Sequence, residues 1–328
     1  MMHPVGAALP ETSRQREEAA KIMQNSKGGL QRALRAAVQV GRVLTGQQLA
    51  GRNLTVFPDD VFLVSYPRSG NTWTRFLIGN LIYQDQPVTF ANIESRIPEI
   101  YFNPDRVMRR LPCPRILKSH ECFQPLYRHV IYIVRDPRDV AISFYHHNVK
   151  AGNIPDDYPM EDFVPRFINA EFDTKWGSWA DHVLSWLLLR QHRPDFILLR
   201  YESMKQEPQY ELARVAGFLR DYSFRTIDAN PENLQRAVDL SSPERMRSLE
   251  KKQSADWVLT KTTRHDKPFV RTANVGGWKS VLSPGSVAAI EAAWGPVMKT
   301  LGYNLVSDTA PTAPAGGGGL SDAARTKP

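Results

Sequence analysis

Three short stretches carry residues whose types and spacing suit chemistry on an anion. Tyr66–Thr72 (Tyr-Pro-Arg-Ser-Gly-Asn-Thr) supplies a fixed positive charge at Arg68, short donors at Ser69, Asn71 and Thr72, and a permissive glycine, Gly70. Lys118-Ser119-His120 sets an ammonium beside an imidazole. Arg135-Asp136-Pro137 opens a third stretch, with Ser143 eight residues after Arg135. Guanidinium groups, hydroxyls and the N–H groups of a helix start bind phosphate-like anions. An imidazole with a near-neutral pKa can take the proton of a hydroxyl nucleophile. Three cations together imply a ligand with more than one anionic group. A Walker A loop would end in Gly-Lys-Ser/Thr. No lysine enters the helix here, so a mononucleotide phosphate fits and an ATPase fits poorly. Taken singly, each stretch has a plainer explanation: Ser69 and Thr72 as helix caps, Arg135-Asp136 as a local ion pair, Ser143 as a surface hydroxyl, His120 as a structural histidine.

The surrounding pattern must bring them together. Val61–Ser65 is a short apolar run of the kind that fills a buried parallel strand. From about Thr72 the positions Trp73, Phe76, Leu77, Asn80 and Leu81 fall at helical spacing. Arg115–Lys118, His129–Val134 and Phe196–Arg200 read as further strands. Helices follow at Pro137, over Trp176–Arg190 and Glu207–Leu219, from Pro231, and over Val287–Leu301. Strands alternating with helices predict a single α/β domain, its central parallel sheet flanked by helices on both faces. Ligands of such sheets bind beyond the carboxyl ends of the strands, where Tyr66–Thr72, Lys118–His120 and Arg135 all fall. Residues 84–113 read as loops and short helices, 150–175 as irregular, and 251–277 as a mobile loop. The expected organisation is a basic extension over residues 1–54 with a helix at Gly29–Leu44, a domain over 55–306, and a disordered tail over 307–328.

Composition narrows the class. The chain has 328 residues and a formal charge of +8. Residues 1–56 hold eight Lys/Arg against three Asp/Glu, so +5 of that excess lies in the extension. The remainder is only mildly basic, which suits an enzyme for a polyanionic nucleotide better than a nucleic-acid binder. Cys113 and Cys122 flank a predicted strand, so no bond between them is expected, and their small number suits a reducing compartment. No metal-ligand spacing, secretory segment or membrane span is read, and a cytoplasmic location is expected.

Six blocks in order carry a resemblance to the cytosolic-type sulfotransferases. YPRSGNTW (66–73) resembles their 5′-phosphosulfate loop, ILKSH (116–120) their Leu-Lys-Thr/Ser-His segment, and VRDPRDVAISFYHH (134–147) their 3′-phosphate strand and helix. WGSWADHVLSW (176–186), ILLRYESMKQEP (197–208) and RTANVGGWK (271–279) are similar to their later motifs. The resemblance spans about residues 55–306 and implies a P-loop nucleotide-kinase-like fold.

It also implies transfer of a sulfuryl group from 3′-phosphoadenosine 5′-phosphosulfate (PAPS) to a small-molecule hydroxyl, releasing 3′,5′-ADP (PAP), without a metal. By position, Arg68, Ser69, Gly70, Asn71, Thr72 and Trp73 would hold the 5′ end. Arg135, Ser143 and Arg271 would hold the 3′-phosphate, and Tyr201 and Ser241 would lie beside the adenosine. His120 would be the general base, with Lys118 and Arg68 stabilising the transferring group. A homodimer is left open; nucleic acid is not expected as a partner. The sequence departs from the family pattern at Arg68 (usually lysine), Pro243 (often aromatic), Thr272-Ala273 (usually Lys-Gly), Gly277 (usually Asp) and His147 (usually aromatic). The rival readings are an ATP-dependent small-molecule kinase, which would need Mg²⁺ and ignore a 3′-phosphate, and an inactive nucleotide-binding scaffold.

Overall fold

Val61–Ser65 becomes an inner strand of the sheet, and the site is laid out around its carboxyl end. The computed structural model describes residues 49–271 and 274–308. In chain order the elements are β1 Val61–Ser65, α1 Asn71–Ile82, α2 Ile93–Arg96, α3 Asp105–Met108, β2 Ile116–Ser119, β3 His129–Val134, α4 Pro137–Ala151, α5 Met160–Ile168 and α6 Trp179–Arg190. They continue as β4 Phe196–Arg200, α7 Tyr201–Gln206, α8 Pro208–Tyr222, α9 Pro231–Leu240, α10 Pro243–Gln253, α11 Trp278–Val281 and α12 Pro284–Thr300. The expected helix at 29–44 and residues 309–328 of the expected tail lie outside the described residues, as do Thr272 and Ala273; Ser307 and Asp308 are held by Glu291 and Lys299. Among the described residues, no helix is long and apolar enough to cross a membrane.

The four strands are parallel, in the order β2-β1-β3-β4. Alternate side chains of each strand meet different layers. Phe62, Val64, Val130, Tyr132 and Val134 pack with α4, α5, α6 and α12. Val61, Leu63, Ile131, Ile133 and Leu199 pack with α1, α8 and α9. A strand buried on both faces has no polar side, which is why the runs read as continuously apolar. Buried Arg115 at the start of β2 holds Asp60 through Nε at 2.7 Å and Nη2 at 2.5 Å, below β1 and away from the loop end of the sheet.

Two stretches differ from the expectation. Residues 150–175 contain a helix, α5, with Pro165 inside it. Proline in a helix interior costs about 3 kcal/mol. Here Phe163 and Phe167 are fully buried and stacked with each other, and Phe163 also stacks with Phe172. Burial of each aromatic contributes about 1.5–3 kcal/mol, enough to offset the proline. Residues 251–277 are not one loose loop, because buried Trp257 packs on Phe90 and Phe269. The predicted helix at Trp176 starts later, at Trp179. Ser178 caps it, reciprocating with Asp181 in a capping box.

Candidate active site

β1 is flanked by β2 on one side and β3 on the other, so the chain reverses direction of travel across the sheet at this point. Adjacent strands lie about 4.8 Å apart. The residues leaving them, Tyr66, His120 and Arg135, are therefore neighbours, at the crevice where open α/β sheets bind ligands. The loop after β1 turns sharply through two left-handed residues, Arg68 at φ 69° and Gly70 at φ 100°, and enters α1 at Asn71. Gly70 is required here: a Cβ would lie 2.4 Å from Cδ2 of Tyr201. The open N-terminus of α1 faces the same space with its positive dipole end.

Arg68, Gly70, Asn71, Thr72, Trp73, Lys118, His120, Arg135, Ser143, Tyr201 and Arg271 all line one cavity of about 1080 Å³. That volume is at the upper limit for a single small ligand and leaves room for two bound side by side. Ser69 lies beneath the loop, fully buried. Ser241 does not reach the cavity. It is buried, its hydroxyl donates to the Ala237 carbonyl and accepts from Asn80, and its own carbonyl accepts the indole N–H of Trp73 at 3.0 Å. Its place is behind Trp73, whose ring it fixes.

The cations are held individually. The Arg68 guanidinium lies 4.8 Å from the Phe269 ring and donates from Nε to Ser143 at 3.3 Å. Burial, then the charges of Arg135 and Arg271, pushes its pKa down to about 10, so it stays charged at neutral pH. Arg135 stacks 4.3 Å from the Tyr201 ring and donates to the carbonyls of Arg68 and Asn274. It makes no pair with Asp136, which instead caps α4 and binds Arg138. Asp139 accepts from the N–H groups of Gly276 and Trp278, fastening the late segment to α4. Ser69 Oγ, Asn71 Oδ1 and Arg135 Nε are buried with no hydrogen-bond partner among the described residues.

His120 is oriented for proton acceptance. Its Nδ1 lies 2.7 Å from the carbonyl oxygen of Ser65. A carbonyl only accepts, so Nδ1 carries the hydrogen and the neutral ring keeps its lone pair on Nε2. Burial, then the charge of Lys118, holds its pKa well below the usual histidine value. His182 donates from Nε2 to the His120 carbonyl at 3.0 Å and meets the Tyr132 hydroxyl at Nδ1, 2.8 Å away. Lys118 Nζ is paired with Glu99 at 2.5 Å. Tyr101 and Trp176 stand beside this pair, with ring centroids 5.0 Å apart. His147 also lines the cavity, driven to a pKa of about 3 by burial and then by Arg68.

Glu99, Tyr101 and Phe269 were not among the residues expected from the sequence. Glu99 sits in a segment with little periodicity, but its bridge to Lys118 makes it an outlying rung beside β2. Phe269 gave no local signal: its role depends on Trp257 beneath it.

Residues 58–302 match the family model described as sulfotransferase domain. Over 253 residues the chain is 28% identical to mouse sulfotransferase 1B1, covering 72% of this chain and 82% of that one. It is 29% identical to rat sulfotransferase 1A1 over 250 residues, 71% and 82% of the two chains. Among solved structures, mouse sulfotransferase SULT7A1 complexed with PAP superposes with a TM-score of 0.61 at 25% identity, over 76% of this chain and 87% of that one. A retinol dehydratase crystallised with androsterone and PAP shares the fold with a TM-score of 0.62 at 20% identity, over 76% and 83% of the two chains. On its residues, its sheet and these matches, the chain belongs to the sulfotransferase family, of the cytosolic type.

Proposed function

We propose that the protein moves the sulfuryl group of PAPS to a hydroxyl of a small organic acceptor and releases PAP. The observation that carries the reading is the convergence of Arg68, Arg135 and Arg271 with the start of α1 in the same cavity as an unencumbered His120 Nε2. The residues fit such a donor. A buried polar atom without a partner costs about 1–3 kcal/mol. A phosphate oxygen in the cavity would satisfy the Arg135 Nε–H, which has no partner among the described residues.

PAPS supplies the activated sulfuryl group and a phosphate leaving group. Residues Arg68–Thr72 and the N–H groups of α1 hold the 5′ end. Trp73, fixed by the Ser241 carbonyl, and Tyr201 flank the adenosine, while Arg135, Ser143 and Arg271 hold the 3′-phosphate. That grip orients the donor as well as binding it. At the acceptor side, His120 takes the hydroxyl proton on Nε2, while the Ser65 carbonyl fixes ring and tautomer. Such a base is worth roughly 10²–10⁴ in rate. Lys118, held at the sheet edge by Glu99, and Arg68 place positive charge near the transfer, where preorganised charge stabilises the transition state without reorganisation. The site is read as cytoplasmic, metal-independent and open to polar as well as aromatic acceptors.

The deciding experiment is metal-free calorimetry with PAP, 5′-AMP and ATP, followed by an acceptor screen with PAPS. PAP binding far tighter than AMP supports the reading. ATP preferred over PAP, with phosphate transfer in Mg²⁺, would replace it with a kinase.

A further inference from the structure

The buried carboxylate of Glu250 has no place in the reaction as described above, yet it sits under the wall of the cavity. Glu250 lies on α10, whose first residue, Pro243, lines the cavity. Its two oxygens accept consecutive backbone N–H groups: Oε1 from Phe269 at 2.5 Å and Oε2 from Val270 at 2.8 Å. One turn earlier on α10, Arg247 donates from Nη1 to the carbonyl of Arg271 at 2.9 Å. One helix therefore holds the three residues 269–271 by both their donors and an acceptor. A carboxylate bonded to two N–H groups makes charge-assisted bonds, roughly twice as strong as neutral ones.

The segment so held delivers two groups to the cavity. The Phe269 ring, seated edge-on against Trp257 at 4.9 Å, is the surface on which the Arg68 guanidinium rests. Arg271 lines the cavity close enough to Arg135 for that charge, after burial, to lower its pKa, and both arginines act on Arg68 in the same sense. Both neighbours of the clamp are cations that repel the segment's own arginine. The charge of Asp139 acts on Arg271 in the opposite sense and offsets part of that repulsion; the backbone clamp adds a fixed hold. The charge of Glu250 also acts on Arg68 in the stabilising sense.

We infer that Glu250 is a positioning residue for donor selectivity: its clamp on Phe269 and Val270 sets Arg271 against Arg135, and so sets the preference for a nucleotide carrying a 3′-phosphate. The inference rests on the donor reading above. Its test is metal-free calorimetric titration of PAP and AMP into wild type, Glu250→Ala, Glu250→Gln, Arg271→Ala and the Glu250→Ala/Arg271→Ala double variant. The wild type tests the donor reading itself: no preference for PAP over AMP overturns that reading, and the inference with it.

Given that preference, Glu250→Ala is expected to cut the PAP-to-AMP affinity ratio by about 10-fold, which is about 1.4 kcal/mol. Glu250→Gln, which keeps one acceptor oxygen, should fall between the two. If Glu250→Ala does not fold, Glu250→Gln alone decides, with a fall of about 3-fold expected. Because Glu250 acts through Arg271, the double variant should match the ratio of Arg271→Ala alone. A ratio unchanged in the Glu250 variants, or losses that add in the double variant, overturns the inference while leaving the donor reading standing.

Discussion

Replacing Gly70 with alanine tests the donor loop at its tightest point. An alanine Cβ would lie 2.4 Å from Cδ2 and 2.7 Å from Cε2 of Tyr201. Carbon atoms in ordinary contact sit about 3.5–4.0 Å apart, so the ring must retreat by about 1 Å. Tyr201 is buried between Arg135, at 4.3 Å, and Trp73, at 5.6 Å, and cannot retreat without leaving one of them. Two costs follow. The left-handed backbone at φ 100° costs a side-chain-bearing residue about 1–2 kcal/mol and falls on stability. Loss of the Arg135–Tyr201 contact, worth about 0.5–2 kcal/mol, falls on the anion site. Gly70→Ala should therefore lower Tm by a few degrees, at about 2–4 °C per kcal/mol, and weaken PAP by about 10-fold. Gly152→Ala separates the two. Gly152 ends α4 at φ 74° with no atom within 4 Å of a new Cβ, so it carries the strain without the collision. It should lower Tm by a similar amount and leave PAP binding unchanged. Scanning fluorimetry and calorimetry read both. If Gly70→Ala binds PAP like the wild type, the claim that Tyr201 supports Arg135 is wrong.

Three further outcomes are expected. His120→Asn can still donate to the Ser65 carbonyl but offers no base, so kcat should fall by roughly 10²–10⁴ with PAP affinity intact; a loss under 10-fold would remove His120 from proton transfer. His182 is fully buried, with its pKa pushed down to about 4 by burial, while an unfolded histidine titrates near 6.5. The unfolded chain thus binds the extra proton between those values. Stability is full above pH 6.5 and falls on acidification toward 4, by about 2 kcal/mol from pH 7 to 5, and denaturant titrations showing equal stability at both would contradict the burial argument. Asp60→Asn leaves Arg115 buried opposite a neutral side chain and should cost about 3–5 kcal/mol in a denaturation experiment; a loss below 1 kcal/mol would mean that solvent reaches the pair.

The parts of the site that depend on the sheet were legible because a parallel strand buried on both faces announces itself. Val61–Ser65, Ile116–Ser119, His129–Val134 and Phe196–Arg200 lie within a residue of the runs read from hydropathy. Once β1 lies between β2 and β3, the meeting of Tyr66–Thr72, His120 and Arg135 follows from topology alone. What was not legible depends on contacts distant in sequence. Ser241 could be assigned to the nucleoside only by position along the chain, whereas its actual partners, Asn80 and Ala237, place it behind Trp73. The helix at Met160–Ile168 was hidden by Pro159 and Pro165, whose local cost is outweighed by three phenylalanines packing together. Trp257 is a single tryptophan in a charged stretch, and only its seat on Phe90 shows that the stretch is anchored.

The arginine at position 68 is the departure from the family pattern that the site explains best. The residue sits in a left-handed turn, half-buried at the cavity wall, with two other guanidinium groups acting on it. Burial and those neighbours lower its pKa from the ordinary arginine value to about 10. A lysine starts from a lower value, and the same burial and neighbouring charges would push it in the same direction. A guanidinium under that load keeps its whole charge. It cannot readily give up a proton, but a phosphate leaving group is a weak base and does not require one. At this position the loop therefore contributes charge rather than a proton. In the proposed reaction acid–base work is left to His120, whose ring is kept neutral by burial and then by the charge of Lys118.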